Sequence, residues 1–187
     1  MQFFVRIFTV FIFVAGLVLS TQSANASDLR LLLGADFSLS GVKYSNSSKD
    51  AVAYPEEDFK TYAPIIGISA YGIGLEAYIL NSNTIKEDSL GAKLRSYGID
   101  FTGEAGLSDN FSVVASLGLA KYEFTTKGDN FKREDDCSGP RVGIGLQYYI
   151  TSRLAIRGMY HYTLLNSGKT DNYDAISEFT AGFRFIF

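Results

Sequence analysis

Phe179-Thr180-Ala181-Gly182-Phe183-Arg184-Phe185-Ile186-Phe187 decides how the rest of the chain is read. Phe179, Ala181, Phe183, Phe185 and Phe187 are apolar at every second position. Thr180, Gly182, Arg184 and Ile186 fall between them, with Glu178 just before. A period of two places one set on each face of a β-strand, so one face is greasy and the other carries polar groups.

The same alternation opens the chain's second segment. Leu29, Leu31, Leu33, Ala35, Phe37 and Leu39 interleave with Arg30, Leu32, Gly34, Asp36, Ser38 and Ser40. Six more stretches follow the rule: Tyr62–Tyr71, Gly74–Leu80, Leu94–Gly106, Phe111–Phe124, Pro140–Ile150 and Leu154–Thr163. Gly74–Leu80 is short, and Pro64 cannot donate to a ladder, which predicts a place near the rim for it. Tight connections are expected around Gly72-Ile73, Leu107–Asn110 and Thr151–Arg153. Long polar ones are expected at Gly41–Thr61, Asn81–Lys93, Thr125–Gly139 and Leu164–Asp174. Short turns at one end and long loops at the other describe an up-and-down meander, which closes on itself and removes both edges. The expected fold is all-β, an eight-stranded antiparallel up-and-down barrel.

Composition narrows the class. The 187 residues are 47% apolar and 20% charged, with a net charge of -3 and no tryptophan. That is too apolar for disorder and too short for several domains. Mild acidity speaks against nucleic-acid binding, which needs a basic face. The single cysteine, Cys137, excludes an internal disulfide and a thiolate-rich metal site. No metal, cofactor or catalytic set is expected: phosphate-cradling loops, H-E-x-x-H and EF-hand patterns are absent from the sequence. Cys137 falls beside Asp135-Asp136 in an expected loop, where neighbouring carboxylates oppose its thiolate, so an inert free thiol is expected.

Residues 1–26 have the layout of a secretory signal. Arg6 precedes the apolar run Ile7–Leu19, and Ala24-Asn25-Ala26 predicts cleavage between Ala26 and Ser27. The barrel domain is then 27–187, exported.

The two faces decide what the barrel touches. The fatter face carries Leu31, Leu33, Phe37, Val113, Leu117, Val142, Ile144, Leu146, Phe183 and Phe185. The other carries Gly34, Gly67, Gly98, Gly118, Gly143, Gly145 and Gly182 together with Arg30, Asp36, Glu76, Asp100, Glu104, Arg141, Arg157, Glu178 and Arg184. Eight strands enclose room for packed side chains and little else. Rows of Leu, Tyr and Phe would overfill that space, whereas glycines make way for long charged groups. The apolar face is therefore expected to meet lipid, with a structural charge network in the lumen and a transmembrane barrel as the result. Arginine on the lipid face would cost about 2–4 kcal/mol at the midplane. Tyr62, Tyr97, Tyr160 and Tyr162 fall on the outward register near the long-loop ends, as an aromatic girdle does.

These residues resemble the small eight-stranded outer-membrane barrels of Gram-negative bacteria, the OmpA-like and opacity-protein group. The resemblance lies in Tyr97-Gly98-Ile99-Asp100-Phe101 through Leu107-Ser108-Asp109-Asn110-Phe111-Ser112, in Leu154–Tyr162, and in Ala181–Phe187. It implies an outer-membrane location, and an assembly signal at Phe183, Phe185 and Phe187 read by the barrel-assembly machinery. It also implies a monomer in lipid that presents four loops for adhesion, host interaction or envelope integrity. Two other functions are weighed. One is a narrow porin-like channel, opposed by paired charges across the lumen. The other is lipid A hydrolysis: the sole histidine, His161, precedes Thr163 by two, with Glu178 downstream, a faint likeness to the deacylase pattern. A hydroxyl beside a base is reasonable chemistry. Threonine stands where serine is needed, however, and the register turns both side chains into the lumen.

Overall fold

Alternation of apolar and polar residues forces extended backbone, and the computed structural model bears this out over the residues it describes, 29–44, 58–87, 90–128, 131–165 and 173–187. The strands are β1 (Arg30–Tyr44), β2 (Phe59–Ala70), β3 (Ile73–Ser82), β4 (Ile85–Glu87), β5 (Leu90–Gly106), β6 (Phe111–Gly128), β7 (Phe131–Thr151), β8 (Leu154–Leu164) and β9 (Tyr173–Ile186). All pairings are antiparallel. Neighbours in sequence are neighbours in the sheet, β3 pairs β5, and β9 returns to β1, so eight strands close a ring. The three-residue β4 extends the sheet above it on β5. The expected signal segment and the expected cut between Ala26 and Ser27 lie outside the described residues, as do 45–57 and 166–172 of the expected first and fourth loops.

Closure is staggered. Starting at Arg30, the register runs through Ser69, Gly74, Thr102, Ser116, Gly143, His161 and Glu178, then returns to β1 at Ser40, ten residues farther along the same strand. Eight strands with that stagger tilt by roughly 40° from the barrel axis. The tightest turn is Tyr71-Gly72, with φ of 53° and 75° at the two central residues. Positive φ at both positions is the two-residue hairpin turn whose twist matches the strands, and glycine at the second lowers its strain. The loop Leu107–Asn110 and the Thr151–Arg153 turn lie at this same end, and Leu31 exchanges hydrogen bonds with Phe187 there. Short turns mark the periplasmic side of such barrels.

Four expectations need correction. Pro64 is not at the rim but inside β2, facing outward. It pairs with Ala35 of β1, while the β2–β3 register skips Ala63 and Pro64. The ladder gives way toward β3 and holds toward β1. The turn after β2 is Tyr71-Gly72, not Gly72-Ile73, since Ala70 pairs with Ile73. Thr125–Gly139 is not a loop: β6 and β7 stay paired up to Gly128 opposite Phe131. Asn81–Lys93 is likewise partly sheet, through β4 and the start of β5.

The third correction has a physical reason. Along β6 the outward residues Val113, Ala115, Leu117 and Leu119 give way to Lys121, Glu123, Thr125 and Lys127. The inward set changes in the opposite sense, to Ala120, Tyr122 and Phe124, all buried. On β7 the outward series passes from Leu146, Ile144 and Val142 to Ser138, Asp136 and Glu134. The faces invert where the strands leave the apolar band, so the upper barrel is greasy inside and charged outside. Tyr62 and Tyr97 stand outward at this boundary, and Lys60 and Arg95 follow one outward step beyond them.

Candidate functional site

The mid-lumen is built by setting glycines opposite long side chains. Gly118 lies opposite Asp100 on one side and Arg141 on the other. A Cβ there would collide with the Ile99 carbonyl and the Asp100 carboxylate. The missing side chain lets the Asp100–Arg141 ion pair pass over β6. Gly182 serves Asp36 and Arg157 in the same way, and Gly34 serves Arg184. These are close approaches that any larger residue would block.

Two polar layers result. In the upper one, Arg141 pairs with Asp100 and donates from Nε to Glu178 at 3.0 Å. Its guanidinium lies 4.6 Å from the Tyr78 ring centroid. Glu178 also accepts from the Tyr122 hydroxyl at 3.1 Å and from Ser40 at 3.4 Å. In the lower one, Arg184 grips Asp36 through both terminal nitrogens at 2.6 and 3.0 Å and reaches Glu76 at 3.4 Å. Arg157 donates to Glu76 and to Gln147, both at 2.7 Å. Gln147 and the Tyr149 hydroxyl donate to Glu104 at 3.2 and 2.6 Å. Charges with this many charge-assisted partners are tolerable away from water, where an unpaired one costs several kcal/mol.

Asp36, Glu76, Asp100, Arg141, Arg157, Glu178 and Arg184 are thus buried together in the lumen. Glu104 is half-buried at its lower edge. Arg30 differs: it is exposed at the periplasmic mouth, because β1 begins there. Gln147, Tyr149, Tyr122 and Tyr78 were not singled out by sequence. Their parity places them on the inward face, but nothing in one strand says which distant strand they meet. Phe183, Phe185 and Phe187 face outward.

Above the network the lumen is stoppered. Phe59, Leu94, Tyr122, Phe124, Tyr173 and Ile176 form a buried apolar cluster inside the upper barrel, with Phe124 stacked on Tyr173 at 4.3 Å. Below it lies a vestibule of about 660 Å³ at the periplasmic mouth, lined by Arg30, Glu104, Tyr149 and the residues of the short turns. A second cavity of about 30 Å³ sits within the network.

His161 and Thr163 point into the lumen, both buried. The Thr163 hydroxyl is 2.9 Å from that of Tyr122, which holds it away from any lipid acyl chain. Cys137 lies not in a loop, as expected, but on β7, buried within the apolar cluster. Burial, then the charges of Asp135 and Asp136, push its thiol up to about 12. The expected result is no alkylation of the folded protein by a polar iodoacetamide at pH 8, and full alkylation after unfolding in urea. Because the folded thiol ionises later than the unfolded one, this residue's contribution to stability is intact below the ordinary thiol range and declines as pH rises toward 12.

A family model described as the outer membrane protein beta-barrel domain matches residues 11–187. No curated protein sequence matches the chain. Solved structures do. Ail, the attachment invasion locus protein of Yersinia pestis, is 12% identical with a TM-score of 0.63, covering 86% of this chain and 100% of that one. A second Ail structure holds the heparin analogue sucrose octasulfate. Neisserial surface protein A is 16% identical with a TM-score of 0.60, over 88% of this chain and 100% of its own. The N-terminal barrel of Pseudomonas aeruginosa OprF is 16% identical with a TM-score of 0.50, over 81% and 97%.

Proposed function

Because this chain belongs to the outer membrane protein beta-barrel domain family and so lies in the outer membrane, we propose that it is a non-enzymatic surface protein. Its extracellular strands and loops carry adhesion, host contact or envelope integrity. One observation carries this reading. The lumen is blocked twice, by crossed ion pairs and by the apolar stopper, while the charged β6–β7 extension rises from a rigid wall. Binding surfaces are usually held on such scaffolds. The buried His161 and Thr163 have no route to lipid, which speaks against an acyl hydrolase. The two-step block speaks against a channel.

The remaining parts follow the same reading. A closed ring has no free edge in the bilayer, which favours a monomer. Phe183, Phe185 and Phe187, outward on the last strand, suit the signal read by the assembly machinery. Residues 1–26 suit an export signal cut after Ala26.

The test compares the intact protein in lipid vesicles with a variant whose hairpin is cut back so that a two-residue turn joins Glu123 to Asp136. Host-cell surfaces and heparin are the probes, the latter chosen because Ail holds a heparin analogue. Binding by the intact protein and its loss in the variant is the expected result. Equal binding by both would remove the role from this hairpin, and steady unitary conductance in a planar bilayer would favour the channel.

A further inference from the structure

We propose that the outer wall of β2, β3, β5 and β6 binds the phosphorylated glycolipid of the outer leaflet, with Lys60, Arg95 and Lys121 holding its phosphates. A register row climbs ten residues in one circuit of the ring, so points of equal height fall behind it by just over one residue per strand. Lys60, Asn81, Arg95 and Lys121 therefore share one height, and all four face outward. Beneath them on the same strands stand Tyr62, Ile79, Tyr97 and Leu119, where the apolar band begins. Around the rest of the ring that height is held by Pro140, Tyr162, Ser177 and Leu39, none of them charged. At the periplasmic end of the same four strands the outward residues are Ile68, Ile73, Ala105 and Val113, again uncharged. The whole chain is net acidic at -3, so an excess of base does not explain cations gathered in one sector of one leaflet.

An apolar wall capped by cations is complementary to a lipid whose acyl chains lie below an anionic head. Lys60 makes no ion pair among the described residues, nor does Lys93, one outward step above Arg95. Lys121 Nζ lies 5.9 Å from the Tyr97 ring centroid, which keeps the ammonium at girdle height. Two carboxylates stand one outward step higher, on the water side: Glu123, 3.9 Å from Arg95, and Asp136, 3.2 Å from Lys121. Pairs so exposed contribute little, and Lys60, Lys93, Arg95 and Lys121 outnumber these two acids. Asn81, between Tyr62 and Arg95 in the register, offers its amide to sugar hydroxyls. That favours a glycolipid over a simple phosphodiester lipid. The site depends on the outer-membrane location and is independent of the surface role.

Bisphosphorylated lipid A and its phosphate-free form are the probes, each added to the intact protein in detergent micelles, with native mass spectrometry reading the bound fraction. The phosphorylated form should bind ~10-fold more tightly or better, since a cation near an anionic lipid surface contributes about fivefold. Lys60→Gln with Arg95→Gln should remove most of that preference. Lys127→Gln with Lys132→Gln, an equal loss of charge near the tip of the β6–β7 hairpin, should keep it. All four side chains are exposed, so circular dichroism should show both variants folded as the parent. Equal binding of the two lipid forms would overturn the site. So would a preference that survives the loss of Lys60 and Arg95, or one lost equally in the hairpin variant. Phosphatidylglycerol bound as tightly as lipid A would overturn the choice of a glycolipid.

Discussion

Replacing Arg184 by methionine is expected to destabilise the barrel by about 3–5 kcal/mol, the cost of breaking a buried ion pair from one side. Arg184 is buried, and it holds both oxygens of Asp36 while also reaching Glu76. Glu76 keeps Arg157 at 2.7 Å, whereas among the described residues it is Arg184 that pairs with the Asp36 carboxylate. The loss should therefore fall mostly on Asp36. Adding Asp36→Leu to Arg184→Met should recover much of the stability, because removing both charges leaves no ion unpaired. Urea unfolding in lipid vesicles measures both, and the difference between single and double variants isolates the coupling. A single variant as stable as the parent would mean that Asp36 reaches water, and that the network does not seal the lumen.

The second large effect is on the opposite face. Ile144 points outward and is 61% exposed in the isolated chain, between Ala115 and Tyr160 on the flanking strands. Ile144→Arg is expected to cost about 2–4 kcal/mol, as a guanidinium does near the bilayer midplane. Lys121→Leu, outward but beyond the face inversion, should stay within about 0.5 kcal/mol, since its 3.2 Å pair with Asp136 is exposed to solvent. The contrast is diagnostic. A barrel whose outside met water would gain solubility from arginine at residue 144 and show no such penalty.

Much of this was legible from period two alone. Parity along each strand separates Phe183 and Phe185 from Arg184, and it separates Ile144 and Leu146 from Gly143 and Gly145. Once eight strands close, the polar set has to lie inside. What parity does not carry is the stagger. Asp36 meets Arg184 across 148 residues and Glu76 meets Arg157 across 81. Those meetings depend on the ten-residue offset of closure, which no single segment states. The partnership of Asp100 with Arg141 over Gly118 is of this kind.

The upper barrel is hard to read from sequence for a different reason. Lys121, Glu123, Lys132, Glu134 and Asp136 look like a solvated loop when the outward face is assumed to stay apolar. The alternation continues there with its faces exchanged, and Tyr122 and Phe124 on the inward parity were the sign of it. A proline weakens a ladder, which argues for the rim as the place of Pro64. The barrel instead tolerates it within β2 by skipping two pairs toward β3 alone. Arg30 shared the inward parity of the network residues, but its position at the start of β1 leaves it at the mouth.

The absence of tryptophan from the chain allows the most direct test of which face meets lipid. Single tryptophans placed by Ile144→Trp and by Lys121→Trp are compared in bilayers containing phospholipids brominated at mid-chain. Strong quenching of the first and weak quenching of the second is the predicted result. Equal quenching of the two, or fluorescence at residue 144 that bromine leaves untouched, would contradict an apolar outer wall in contact with acyl chains.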